Sequence, residues 1–113
     1  MSRKTLALLS VLVAVPSTAL AADDVGTVGR ISDLQVNMPS SDSYLAYHGR
    51  MFIKNGNNVE EYRWGGTACG SRILTENAVM MLQRALDSGL RVQPRWQPGQ
   101  GTSRCVVGFA FTD

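Results

Sequence analysis

Hydrophobic and polar residues alternate along most of the chain, with one change of period. Leu34 and Val36 share one parity while Ile31 has the other, so Arg30 to Val36 predicts a strand carrying a bulge. The loop Asn37 to Ser43 is rich in residues that bend or cap the backbone. From Tyr44 to Lys54, Leu45, Tyr47, Met51 and Ile53 face one way, and Tyr44, Ala46, His48, Arg50, Phe52 and Lys54 the other. That pattern predicts one long strand. The turn Asn55-Gly56-Asn57-Asn58 then returns the chain as Val59 to Trp64, which makes the pair a β-hairpin. Arg50 and Lys54 can face Glu60 or Glu61 across it.

Gly65 and Gly66 end that strand, where a change of sheet direction or a close backbone approach is expected. The period then shifts. Ala78, Met81, Leu82, Ala85 and Leu86 fall on one face of a helix, with Thr75 as N-cap, Glu76 in the first turn and Gly89 as the stop. Leu90, Val92, Pro94 and Trp96 alternate with Arg91, Gln93, Arg95 and Gln97 in a further strand, and Pro94 demands an edge or a bulge because it has no N–H to donate. After a turn at 98–103, Cys105 to Phe111 is apolar on both parities, as in a strand covered on both sides, with Cys105, Val107, Phe109 and Phe111 on one face. Ala22 to Gly29 reads as a loose leader. The order β-β-β-α-β-β predicts a mainly β fold with one helix, a five-stranded OB-like Greek-key barrel.

The first residues belong to a different pattern. Arg3 and Lys4 precede an apolar run from Leu6 to Val15 and the small residues Ala19-Leu20-Ala21. This is the order of a secretory signal peptide cleaved after Ala21, and its run is shorter than the roughly twenty residues a membrane-spanning helix needs. Its removal takes 21 residues from 113 and leaves 92, a single domain over 22–113. Two basic residues leave with it, so the eleven Lys and Arg become nine, matching the nine Asp and Glu. A neutral chain gives no reason to expect nucleic acid as a partner. No integral membrane segment is expected, and the location is periplasmic or secreted. In an oxidising compartment the only two cysteines, Cys69 and Cys105, are expected to pair.

With its leader, its helix from Thr75 to Gly89 and a disulfide from just before that helix to the last strand, the chain resembles the B subunits of bacterial AB-type toxins. The likeness covers most of the chain after residue 21. It lies in element order and disulfide placement, and carries no family binding residue onto a numbered position. It implies an exported OB-fold subunit that assembles as a homo-oligomer, binds a cell-surface glycan and accompanies a separately encoded catalytic subunit.

Catalytic chemistry has little to work with. His48 is the single histidine, no cysteine remains free once the pair forms, and Glu60 and Glu61 are strand neighbours that point to opposite faces. We expect no enzyme, no metal and no cofactor. For ligand binding the candidates are Trp64, Trp96, Arg63, Arg95 and Tyr44, with Tyr62, Phe52 and Asn58 beside them, since an aromatic face flanked by polar groups suits a sugar. Each has a competing use. Tyr62 and Trp64 share a parity that can fill a barrel, in which case Arg63 faces out with Glu61. Tyr44, Phe52 and Met80 on exposed faces fit a protein interface equally well. A protein-binding module, an inhibitor or an accessory of an envelope or secretion complex, is therefore the alternative to a glycan-binding subunit.

Overall fold

The structure is a computed structural model and describes residues 22–112; the leader and its cleavage point lie outside the described residues. Among the described residues six strands run β1 (Asp24–Val25), β2 (Gly29–Val36), β3 (Gly49–Asn55), β4 (Asn58–Trp64), β5 (Arg91–Pro98) and β6 (Arg104–Thr112). Two helices, α1 (Gly66–Cys69) and α2 (Glu76–Ser88), lie between β4 and β5. The sheet runs β2, β3, β4, β6, β5 and closes from β5 back to β2, with β4 and β6 parallel and the other pairs antiparallel. This is the closed five-stranded OB-like barrel with one main helix that the element order predicts.

Alternation decides what fills it. Ile31, Met51, Ile53, Tyr62, Trp64, Val92 and Val106 point inward, and Leu82 and Ala85 of α2 join them to form the core. Tyr62 is fully buried and Trp64 is 2% exposed, so the inward parity of this pair holds and Arg63 faces out. The hairpin turns through Gly56 and Asn57, Gly56 alone with positive φ, the pattern of a II′ turn. The expected bulge in β2 is at Ser32, between the pairs Ile31–Ile53 and Asp33–Phe52. In α2 the Thr75 hydroxyl accepts from the Ala78 N–H at 3.1 Å, and Gly89 ends the helix in the left-handed region.

Expectations about the first segment, the long strand and the helix stripe are corrected. The segment Ala22 to Gly29 is not loose: Asp24 and Val25 pair with Trp96 and Arg95, so β1 continues β2 along β5. Between them Gly26 N–H reaches the Pro94 carbonyl at 2.8 Å, and the missing donor of Pro94 falls at this break in the ladder. The long strand starts at Gly49, not Tyr44. The Ser43 backbone carbonyl accepts from the N–H groups of Ala46 and Tyr47 at 3.1 Å, and the Ser41 hydroxyl accepts from Ser43 N–H, so local backbone bonding with one serine hydroxyl curls 38–46 into turns and leaves Leu45 exposed. On α2 the buried stripe is centred on Leu82 and Ala85 and flanked by Val79 and Leu86; Met81 lies at its edge and is exposed.

In β6 the register steps from Trp96–Val106 to Arg95–Gly108, leaving Val107 as an extra residue pushed outward. Val106 then faces the core, with Phe109 and Phe111 packed against it. Cys105 lies on the opposite side of the strand, beneath α1. The expected disulfide is present, with Cα atoms 5.6 Å apart, and it packs with Ala68 and Tyr47 in a small cluster outside the barrel core. The expected cover on both sides is therefore confined to the start of β6: Cys105 is buried by α1 and Val106 by the barrel core, while the strand beyond them is half-buried or exposed.

Candidate functional site

A cleft of about 490 Å³ opens where the β2–β3 loop meets the start of α2. Its floor is the edge of Trp64, buried by the core beneath it. One wall comes from the loop. Asn37 holds that wall by donating from Nδ2 to the Tyr47 carbonyl at 2.8 Å while its Oδ1 accepts from Gln35 Nε2 at 2.8 Å. The loop so pinned places the Tyr44 ring on the His48 imidazole, centroids 4.1 Å apart and planes within 10°. The other wall is Ile73, Leu74, Val79 and Met80. Leu74 and Val79 stand at the N′ and N4 positions around the Thr75 cap and both pack on the core, the arrangement of a hydrophobic staple. Ile73 and Met80 remain 58% and 54% exposed at the rim.

The expected close approach at Gly65-Gly66 helps form this cleft. Both have positive φ, and a Cβ on Gly66 would lie 2.6 Å from the Ala46 carbonyl, while one on Gly65 would strike the His48 ring. These glycines let the chain after β4 pass directly under the Tyr44–His48 turn. His48 thus leaves the strand face shared with Arg50 that alternation assigns it, and stands in the cleft.

A different chemistry covers the outer face of β3 and β4. Glu61 Oε2 accepts from Arg63 Nε at 2.8 Å and from Arg50 Nη1 at 3.1 Å, which realises the expected Arg50 pairing, whereas Lys54 stands opposite Val59. Burial alone would raise the Glu61 pKa, but the hydrogen bonds and charges of the two arginines outweigh it and hold the carboxyl below its ordinary value. Arg63 lies 4.6 Å over the Tyr47 ring and Arg50 5.1 Å over Phe52. Inside the barrel, burial and then the hydroxyl's bond to Glu60 push the Tyr62 pKa well above its ordinary value.

The chain matches no family model, no curated protein and no solved structure. The site's own geometry therefore carries the functional argument.

The five sequence candidates do not converge. Tyr44 and Trp64 meet in the cleft, and Arg63 belongs to the outer ion-pair face. Trp96 is half-buried on β5 and packs on the core, with Arg104 5.7 Å over its ring, while Arg95 is exposed between Val25 and Gly108 and shares neither hollow. Sequence reasoning missed Asn37, Ile73 and Val79 as cleft residues. The Leu74-Thr75-x-x-x-Val79 staple was the signal for the last of these. Among the described residues no group of three or more His, Cys, Asp or Glu side chains is placed to hold a metal ion, and no helix is long and apolar enough to cross a membrane.

Proposed function

We propose that the chain is an exported, non-enzymatic binding subunit that takes a glycan in the cleft between the β2–β3 loop and α2. The observation that carries this reading is the Tyr44–His48 ring pair standing over a Trp64 floor in a space of about 490 Å³, with Glu76 at the rim. Ring faces provide an apolar platform for the C–H side of a sugar, and the imidazole and carboxylate take hydroxyls. Export is supported by the leader pattern of residues 1–21 and fits the Cys69–Cys105 bond. Homo-oligomerisation is supported by the outer edge of β4: among the described residues, its pairing with β6 is confined to Arg63–Cys105, which leaves strand edge free to take a neighbour. A toxin-like ring with a separately encoded catalytic partner is the fullest form of this proposal.

The test is a glycan array and calorimetric titration of the protein recovered after export, alongside light scattering. Binding that falls at least roughly tenfold in Tyr44→Ala, with the fold intact, supports the cleft. A monomer that is blank across neutral and acidic glycans sinks the reading. The exposed apolar rim at Ile73 and Met80 favours a second occupant, a protein partner in the periplasm. That reading expects a stoichiometric partner from envelope extract whose capture free sugar does not compete.

A further inference from the structure

We infer that the protein carries a second, independent site, specific for an oxyanion, in the small hollow where β4 meets the start of β6. The hollow, about 220 Å³, is lined by Glu61, Arg63, Thr102, Ser103 and Arg104. Its donors are held in place by contacts that leave other N–H groups free. Arg63 uses Nε on Glu61 and lies on the Tyr47 ring, so its plane is fixed while its two terminal nitrogens have no hydrogen-bond acceptor among the described residues. Among the described residues the Arg104 side chain makes only a long hydrogen bond from Nη1 to the Glu61 backbone carbonyl at 3.5 Å, and its guanidinium lies 5.8 Å over Tyr62 and 5.7 Å over Trp96. Thr102 and Ser103 add two hydroxyls from the β5–β6 loop. That loop is anchored in turn, by Gln100 N–H to the Ala68 carbonyl at 2.9 Å and by the neighbouring disulfide.

Charge decides what such a hollow accepts. Arg63 and Arg104 line the hollow with one carboxylate, Glu61, whose Oε2 already takes ion pairs from both Arg63 and Arg50, so the lining carries a net positive charge. Glu60 is not part of the lining, and its carboxylate accepts from the Tyr62 hydroxyl. An array of fixed donors with one competing acceptor is complementary to a carboxylate, sulfate or phosphate group, and guanidiniums bind these through charge-assisted, directional hydrogen bonds. The ligand class is therefore a small anion or the anionic group of a larger molecule.

The experiment follows arginine Nε–Hε signals by NMR in the exported protein titrated separately with acetate, inorganic sulfate and inorganic phosphate. Saturable shifts at Arg63 and Arg104, absent at Arg95 and Arg91, support the site, and the tightest anion identifies a planar or a tetrahedral group. Arg104→Gln should weaken binding at least roughly tenfold, Thr102→Val in the exposed loop should weaken it severalfold, and Tyr44→Ala should leave it unchanged. Shifts that never saturate, that are as large at Arg95, or that survive both Arg104→Gln and Thr102→Val in a folded protein overturn the inference.

Discussion

Trp64→Ala is the substitution that reads the barrel most directly. The indole is 2% exposed and stands in the core, and its six-membered ring fills the space over Gly49, where even a Cβ would collide with it. A buried tryptophan removes about 150–250 Å² from water, which at about 25 cal/mol per Å² amounts to about 4–6 kcal/mol, and measured Trp→Ala costs in cores run about 3–5 kcal/mol. A domain of this size is stable by about 5–14 kcal/mol in total, so the variant should sit near the edge of folding. The assay is urea unfolding followed by far-UV circular dichroism, because Trp96, the other tryptophan, would report only on β5. We expect the midpoint to drop sharply with the slope unchanged. A loss below about 1 kcal/mol would refute the reasoning, since it would place the ring outside the core and leave Trp64 as a ligand contact alone.

Two further outcomes follow from the interior. Tyr62 has its pKa raised by burial and by the Glu60 carboxylate, so the folded state holds its proton more tightly than the unfolded chain. The stability this contributes is whole below about pH 10 and is lost as pH rises beyond it; Tyr62→Phe should be less stable at neutral pH yet show a flatter alkaline decline in urea midpoint, and an unchanged decline would contradict the assignment. Removing the disulfide as Cys69→Ala with Cys105→Ala should lower stability by about 2–4 kcal/mol in thermal unfolding, because the closed loop spans 36 positions. A double variant as stable as the parent would show that the α1 packing alone holds this end.

The features that were legible in sequence are those whose cause lies within a few residues. Thr75, the apolar spacing and Gly89 define α2 locally, and Gly56 defines the hairpin. The parity of Tyr62, Arg63 and Trp64 follows from strand geometry once the hairpin is placed. The illegible features depend on distant partners. β1 exists because Trp96 and Arg95 offer a ladder to Asp24 and Val25 from far along the chain. The outward turn of Val107 depends on its register against β5, and the apolar alternation of Tyr44 to Tyr47 runs on through a segment that local backbone hydrogen bonds curl. The grouping of the candidate residues is illegible for the same reason: only the folded loops bring Tyr44 and Trp64 to one cleft with Ile73 and Met80 and leave Arg95 and Trp96 elsewhere.

The Cys69–Cys105 bond also bears on how the molecule meets a protease. It brackets the exposed residues Gly70 and Ser71, all of α2, and the exposed tip Gly101-Thr102 of the β5–β6 loop. A protease that cuts once anywhere within that span severs the backbone without dividing the molecule. Both halves stay joined through sulfur and through the sheet, and a nicked population would run as a single band until a reductant split it in two.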